Sequence, residues 1–219
     1  MNKLAIYGVG ALARELLLYN NRYHLFELVA FIDDNKAKAG SYEEIPVLSF
    51  EDFINEYTGQ ERPKIIVSIG YIGCNVFREN TCKKVLDNGF GLANFIAPNS
   101  NCWPNTIKGS NIIVLDNVFV GDDCEIESGV ILCPGTVLSH GVKVGEYSFF
   151  SDGVVVGGNA KIGNNSFVGL NSTIKSSVKI GNYNIIGSAA NVIHDTPDFS
   201  VTKGNPGITI QKDTLHTKI

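Results

Sequence analysis

The sequence contains no long uninterrupted apolar stretch, no run of basic residues and no closely spaced cysteine pair. Without about 20 consecutive apolar residues, no membrane-spanning helix is expected, and the N-terminus lacks the charged-then-apolar pattern of a secretory signal. Lys and Arg number 18 against 22 Asp and Glu, which gives a net charge of −4 and argues against a nucleic-acid partner. These absences predict a cytoplasmic protein that enters no membrane and binds no nucleic acid.

Cysteine and histidine are also spaced unlike metal ligands. The cysteines are odd in number and form no CxxC pair, which predicts small buried residues in a reducing compartment. The histidines form no ligand spacing with cysteines or carboxylates, so no metal is expected. The residues concerned are Cys74, Cys82, Cys102, Cys124 and Cys133, and His24, His140, His194 and His216.

The stretch from Ile96 to Val192 repeats every six residues. From Val114 onward, every sixth residue is aliphatic or Phe in a chain that is 44% hydrophobic, a run that independent draws would give with a probability of roughly 10⁻⁵. The fifth position of each hexad is mostly small or β-branched, and the second is often Gly. The first-position residues are Val114, Val120, Ile126, Leu132, Leu138, Val144, Phe150, Val156, Ile162, Val168, Ile174, Ile180, Ile186 and Val192.

A six-residue period is typical of a chain that makes a short strand, turns and repeats, so that three hexads close a triangular coil. First-position side chains are expected to fill the triangle, while Gly and Asn supply the positive φ angles of the turns. Parallel strands of successive coils lie about 4.8 Å apart. Upstream, the register continues through Ile96 and Cys102, with Lys108 as the one polar exception. The sequence therefore predicts between five and six coils.

Residues 1–92 predict a small Rossmann-like α/β domain with a parallel sheet, and residues 93–219 predict the β-helix with a C-terminal tail. The apolar runs LAIYG, ELVAFI and KIIV alternate with helical segments, one near residues 49–57 and one stopped by Gly89, which favours right-handed βαβ crossovers.

The first turn of this domain carries a nucleotide-binding pattern. Gly8, Gly10 and Ala13 match GxGxxA, with Asp33 at the end of the second strand. Only three strands are evident, about half of a dinucleotide fold, so a nucleotide-sugar pocket at the carboxyl ends of the strands is favoured over a nicotinamide site. A purely structural glycine turn is the remaining alternative.

Taken together, these segments resemble the hexapeptide-repeat sugar acetyltransferases, the PglD/NeuD-like nucleotide-sugar N-acetyltransferases and sialic-acid O-acetyltransferases. The resemblance covers essentially the whole chain. It implies a left-handed β-helix, a homotrimer, acetyl-CoA held in grooves between β-helices, and a histidine as general base. It rests on IYGVGALARELL, FIDD, VSIG, the IAP of residues 96–98, LSHG, the hexads and the closing VTKGNP.

The histidine that matches this family's general base is His140, in Leu138-Ser139-His140-Gly141. Acetyl transfer from a thioester to an amine needs a group that takes the amine proton, and imidazole, with a reference pKa of about 6.5, suits that work near neutral pH. His140 occupies the third position of its hexad, outside the packed interior. On position alone, a solvent-exposed corner histidine is an equal reading.

Three residues depart from the family pattern around this histidine. The carboxylate that usually follows it is Gly141, a polar residue seven positions earlier is Cys133, and a second histidine nine positions later is Phe149. One coil below His140 lie Asp122 and Asp123, and we hypothesise that one of them orients the imidazole. The alternative is that both are solvated turn residues; Asp152 is a weaker candidate.

The resemblance also assigns binding residues. The family's coenzyme contacts map onto Leu170 and Ser188, which are 18 residues apart and therefore stacked. Gly158 is expected near the thioester, one coil above His140. The remaining assigned residues are Gly204, Asn205 and Pro206 near the adenine end, and Gly10, Ala11, Leu12, Asp33 and Asp34 around the sugar nucleotide.

We therefore expect an acetyl-CoA-dependent N-acetyltransferase that acts on a UDP- or dTDP-linked 4-amino-4,6-dideoxy sugar by direct transfer. O-acetylation of a sialic acid or another glycan is the nearest alternative. A catalytically silent trimeric sugar-nucleotide binding protein is a second, because the three departures surround the base. The sequence does not select the nucleobase, the sugar stereochemistry or the acyl chain length.

Overall fold

The computed structural model describes residues 2–35, 40–59 and 61–206. The N-terminal part is a five-stranded sheet with helices on both sides, and the predicted strand–helix alternation is confirmed. Helix α2 begins after Ser49, whose Oγ accepts a hydrogen bond from Asp52 N. Its elements are β1 (Lys3–Tyr7), α1 (Ala11–Tyr23), β2 (Glu27–Ile32), β3 (Gly40–Tyr42), β4 (Ile45–Leu48), α2 (Phe50–Glu56), β5 (Lys64–Val67) and α3 (Val76–Asp87).

The sheet is larger than the sequence predicted and is not wholly parallel. The strand order is β3-β4-β2-β1-β5, and β3 pairs antiparallel with β4. The prediction of three strands missed this pair because Gly40–Tyr42 is only three residues long and Ile45–Leu48 contains a proline, which weakens a strand signal. The three predicted strands β2, β1 and β5 stand side by side and parallel.

Between Phe95 and Thr202 the chain forms a left-handed parallel β-helix with three faces. The predicted short strands are confirmed, and each contains two residues. They are β6 (Phe95–Ile96), β7 (Asn101–Cys102), β8 (Ile113–Val114), β9 (Phe119–Val120), β10 (Glu125–Ile126), β11 (Ile131–Leu132), β12 (Val137–Leu138), β13 (Lys143–Val144), β14 (Phe149–Phe150), β15 (Val155–Val156), β16 (Lys161–Ile162), β17 (Phe167–Val168), β18 (Thr173–Ile174), β19 (Lys179–Ile180), β20 (Ile185–Ile186), β21 (Asn191–Val192) and β22 (Val201–Thr202).

The three faces differ in size and in what covers them. The seven-stranded face contains β8, β11, β14, β17 and β20; the six-stranded face follows it along the chain, and the four-stranded face completes the coil. Side chains of the seven-stranded face, such as Ile113 and Phe149, share a hydrophobic cluster with β1 and α1. The N-terminal domain therefore lies against the seven-stranded face.

The hexad positions have the physical roles that the period predicted. All fourteen first-position residues from Val114 to Val192 belong to one buried core. A left-handed φ recurs every sixth residue, at the fourth position, as at Asn117, Asp123, Gly129 and Gly135. Second-position glycines serve a different purpose: a Cβ on Gly121 would lie 2.8 Å from the backbone N of His140, so close coil stacking requires glycine there.

The predicted register breaks once, at Lys108. Ile107, not Lys108, bridges to Ile126 and packs against the β-helix core. A 3₁₀ turn, Pro104–Thr106, shortens this hexad by one residue, so the lysine faces solvent and the apparent polar exception disappears. Ile96 keeps its register opposite Val114 but is exposed, since no earlier coil covers it.

Candidate active site

A cavity of about 570 Å³ opens at the carboxyl ends of β1, β2 and β5. It is bordered by the turn Gly8–Gly10, by Asp33 after β2 and by Ser68 after β5. The sharp turn requires Gly8, whose φ is +110°. Gly10 precedes helix α1 without a side-chain cap, so the first N–H groups of that helix remain available to an anionic ligand. The structure thus brings Gly10 and Asp33 together, as the sequence indicated.

Asp34, the second carboxylate of the predicted pair, is already engaged by protein groups. Its Oδ2 accepts hydrogen bonds from Tyr7 Oη at 2.5 Å and Lys84 Nζ at 2.7 Å, and its Oδ1 accepts one from Phe50 N at 3.0 Å. Burial alone would raise the pKa of Asp34, but these hydrogen bonds outweigh it and lower the pKa below its usual value. Asp34 therefore anchors Lys84 at the edge of the cavity.

The other two residues of the predicted sugar-nucleotide turn do not border this cavity. Leu12 is half-buried and packs against the cluster between the N-terminal domain and the β-helix, while Ala11 is exposed at the first position of α1. Lys84, Asn80 and Thr81 of helix α3 line the cavity instead. No sequence pattern indicated these three residues, because polar residues on a helix are usually solvated.

His140 lies exposed at the corner between the six-stranded and four-stranded faces. We call the stacked third-position residues here the His140 corner: Asp122, His140, Gly158, Ser176 and His194. Ser139 Oγ lies 3.3 Å from His140 Nδ1, a contact that the sequence analysis missed.

The imidazole also rests on Gly158. A Cβ built on that glycine would lie 2.6 Å from His140 Cε1 and 2.7 Å from Nε2. Gly158 thus lies one coil above His140 and in contact with its ring, while its predicted place beside the thioester stays a prediction.

The carboxylates hypothesised to orient His140 approach it through backbone only. Gly141 N donates to the main-chain oxygen of Asp122 at 2.8 Å, and both Asp122 and Asp123 are exposed. Among the described residues, no side-chain hydrogen bond joins either carboxylate to the imidazole. Gly141 has a φ of +66°, a conformation that glycine adopts without strain.

The two remaining departures from the family pattern lie on the opposite side of the β-helix. Phe149 is on the seven-stranded face, where it packs with Phe167 and Tyr71. Burial, together with the charges of Asp152 and Glu15, raises the pKa of the Cys133 thiol to about 12. A thiol held in this protonated state is a poor nucleophile.

Leu170 and Ser188 are stacked at the corner between the seven-stranded and six-stranded faces, which we call the Leu170 corner. Both are exposed, and Ala189 N donates to Leu170 O at 2.7 Å. Gly204 packs directly on this corner, since a Cβ on it would collide with Ser188 O. Asn205 and Pro206 follow and are exposed. The structure thus gathers all five predicted coenzyme residues other than Gly158 at the upper end of one corner.

Residues 3–85 match the family model described as the PglD N-terminal domain. This match spans the sheet and the helices that build the cavity. Among the described residues, no group of three or more His, Cys, Asp or Glu side chains could hold a metal ion, and no helix has the length and apolarity needed to span a membrane.

Several solved structures are similar over nearly the whole chain. The acetyltransferase domain of PglB from Neisseria gonorrhoeae is 24% identical, with a TM-score of 0.83 over 96% of this chain and 100% of that one; a second structure of it contains acetyl coenzyme A. PerB from Caulobacter crescentus, in complex with CoA and GDP-perosamine, is 25% identical, with a TM-score of 0.72 over 93% and 95%. WeeI from Acinetobacter baumannii is 22% identical, with a TM-score of 0.62 over 94% and 98%.

Proposed function

We propose that this chain, whose residues 3–85 match the PglD N-terminal domain model, is a PglD/NeuD-like sugar acetyltransferase that transfers the acetyl group of acetyl-CoA to the amine of a nucleotide-linked sugar. The acceptor that we favour is a UDP- or dTDP-linked 4-amino-4,6-dideoxy sugar. One observation carries this proposal: a nucleotide-sized cavity at the carboxyl ends of β1, β2 and β5 is joined to a β-helix that presents an exposed His140.

His140 acts as the general base in this proposal. The neutral amine attacks the thioester carbonyl, the C–N bond forms, and the C–S bond breaks to release CoA. The imidazole takes the proton that the amine nitrogen loses and can return it to the departing sulfur. Because the thioester is already activated, no covalent enzyme intermediate is needed, and the protonated Cys133 is consistent with direct transfer.

The orientation of His140 is proposed to come from its neighbours on the β-helix. Ser139 Oγ lies within reach of Nδ1, and Asp122 or Asp123, one coil below, remains our proposal for the carboxylate that supports the imidazolium. Side chains of vertical neighbours can meet across a backbone spacing of about 4.8 Å. A bound acceptor would decide which of these groups approaches the ring.

The position of His140 supports a homotrimer. The His140 corner lies opposite the seven-stranded face, which the N-terminal domain covers, so the β-helix itself stands between the cavity and the base of the same chain. A neighbouring copy can present its own base to the cavity. The six-stranded face beside His140 exposes Phe119 and Val155, at 41% and 42%, as an apolar contact surface for that copy.

The donor is proposed to lie in the groove between copies, against the His140 corner of one and the Leu170 corner of the next. Gly158 leaves room for the thioester. Leu170 and Ser188, with Gly204, Asn205 and Pro206 above them, would hold the rest of the coenzyme. All five cysteines are unpaired, which supports a site of action in the reducing cytoplasm.

The test is release of free thiol from acetyl-CoA with a panel of acceptors, for wild type and His140→Ala. The panel contains UDP- and dTDP-linked 4-amino-4,6-dideoxy sugars, GDP-perosamine because PerB was solved with it, and N-acetylneuraminic acid. Turnover with one amino sugar, lost in the variant, supports the proposal and names the nucleotide. Turnover with the sialic acid alone would replace it with O-acetylation. Acetyl-CoA binding without any turnover would favour a silent binding protein.

A further inference from the structure

Three lysines stand directly above one another on the four-stranded face. Lys143 is in parallel register with Lys161, and Lys161 with Lys179. All three side chains are exposed. Successive coils are about 4.8 Å apart, and like charges placed directly opposite each other on neighbouring strands destabilise the pair. The three ammonium groups therefore repel one another, and a bound anion would reduce this repulsion.

The lowest lysine of the ladder is neutralised and the upper two are not. Lys143 Nζ lies 2.9 Å from Glu125 Oε2, the residue beneath it on the same face. Within residues 2–35, 40–59 and 61–206, no carboxylate forms an ion pair with Lys161 or Lys179. The free positive charge of the ladder therefore lies above the level of Lys143.

This charge is arranged along the His140 corner. Lys143, Lys161 and Lys179 each follow a residue of that corner by three positions. Apart from Asp152, which lies on the Leu170 corner, and two carboxylates at the top, the acidic side chains of the described β-helix lie at or below the coil of His140, whereas Lys175 joins the two unpaired lysines above it. Two carboxylates lie at the top of the β-helix. Asp195 accepts a hydrogen bond from Lys179 N, and Asp198 accepts hydrogen bonds from Asn182 at the third corner, between the four-stranded and seven-stranded faces. The lower acidic residues are Asp122, Asp123, Glu125, Glu127 and Glu146.

We propose that Lys161 and Lys179, assisted by Lys175, bind the phosphates of coenzyme A and so set the direction of the donor on the β-helix. This inference rests on the proposed acetyltransferase function. With the phosphates one to two coils above His140, the uncharged pantetheine arm runs down the corner past Ser176 and Gly158, and the thioester reaches the imidazole. The acidic residues at and below His140 repel the phosphates from the reverse orientation.

The sugar nucleotide is a less suitable ligand for this ladder. Its proposed cavity is formed by the N-terminal domain, which packs on the seven-stranded face. The four-stranded face adjoins the His140 corner directly, so its lysines stand beside the donor path. The chain has a net charge of −4, and a local concentration of positive charge is needed to attract an anionic donor.

The test compares wild type, the double variant Lys161→Ala/Lys179→Ala and a control variant, Lys64→Ala. Lys64 is an exposed lysine at the start of β5, in the N-terminal domain and away from the His140 corner, and it forms no salt bridge with another described residue. We expect the Kd for CoA, measured by titration calorimetry, and the KM for acetyl-CoA to rise roughly tenfold in the double variant, with kcat unchanged. The KM for S-acetylpantetheine, which has no phosphate, should be the same in all three proteins. The dependence of the CoA Kd on salt should weaken in the double variant only.

The outcomes separate this inference from the function on which it rests. Wild type that fails to bind CoA overturns the acetyltransferase proposal and the lysine site with it. Wild type that binds CoA and turns over, alongside a double variant with the same Kd and the same salt dependence, overturns the lysine site alone. An equal rise in KM for S-acetylpantetheine would also overturn it, because the defect would then lie outside phosphate binding.

Discussion

The ring of His140 rests against Gly158, the residue one coil above it: a Cβ at Gly158 would lie 2.6 Å from Cε1 and 2.7 Å from Nε2. Real Cβ atoms do not approach other atoms so closely, so any larger residue at 158 must displace the imidazole. The position of the proposed base is therefore set by the absence of a side chain in the next coil. His140 and Gly158, which are 18 residues apart in sequence, together determine where the imidazole lies.

Gly158→Ala is expected to lower kcat by about 10- to 100-fold, because a displacement of the base of about 1 Å is costly in catalysis. Stability should change little, since the ring lies at an exposed corner and can turn into solvent. Steady-state kinetics and a thermal unfolding curve measure both. An unchanged kcat would contradict the idea that Gly158 sets the catalytic position of the His140 imidazole.

Ser139→Ala should lower kcat about three- to tenfold, because it removes the hydroxyl beside His140 Nδ1. If Asp122 or Asp123 supports the imidazolium that forms during the reaction, the corresponding Asn variant should lower kcat, since the lost negative charge no longer stabilises it. The three variants and wild type are compared by steady-state kinetics at neutral pH. Full activity of both Asn variants would eliminate the carboxylate hypothesis.

Arg78 links the two parts of the chain and should be the most sensitive charged residue for stability. It is completely buried, and its guanidinium donates to the carbonyl oxygens of Gly129, Tyr147, Ile69 and Gly70 at 2.6–3.1 Å. Burial lowers the pKa of Arg78 to about 10, so it remains charged at neutral pH.

Arg78→Leu leaves those four carbonyls without donors and should cost about 3 kcal/mol or more of unfolding free energy. Arg22→Leu, at an exposed arginine of helix α1, is the matched control and should change stability by less than about 0.5 kcal/mol. Urea unfolding measures both. Equal effects of the two substitutions would show that Arg78 contributes no more than a surface arginine.

Asp34→Asn should reduce stability at neutral pH by up to about 1 kcal/mol, because the ion pair with Lys84 is half exposed. The pKa of Asp34 is lowered by folding, so its contribution is present above the unfolded-state pKa of about 3.9 and is lost as the pH falls through the folded-state value. Urea unfolding between about pH 7 and pH 2 should show the difference between wild type and variant shrinking below about pH 4. Asp87→Asn, at an exposed carboxylate of α3, is the matched control and should change stability at neutral pH by less than about 0.5 kcal/mol.

The β-helix could be predicted from sequence because every hexad places the same physical demand on the same position. One buried aliphatic residue per strand, repeated from Val114 to Val192, fixes the register without knowledge of any long-range contact. The same regularity explains the one local error. Lys108 looked like a buried lysine because a 3₁₀ turn moved Ile107 into its place, and a single-residue shift leaves no periodic trace.

The site was less predictable where its residues come from unrelated elements. Asp34 was predicted to bind the sugar nucleotide. In the structure its carboxylate accepts hydrogen bonds from Tyr7 of β1 and Lys84 of α3, and no sequence pattern connects the three residues. The contact of Ser139 with His140 was not predicted, because both residues follow β12 (Val137–Leu138) and lie outside regular strand geometry. At the corner the chain bends, and the two side chains meet.

The 18-residue coil also determines how the length of this protein can change. Deleting one whole coil above His140 would shorten the prism by about 4.8 Å and return every later residue to its own face. Deleting a single hexad would turn the later coils by a third of a revolution, carrying Leu170 and Ser188 to the third corner, away from the six-stranded face that joins them to His140. Insertions and deletions compatible with the proposed coenzyme groove would therefore come in multiples of three hexads, and each would change the length of that groove by about 4.8 Å.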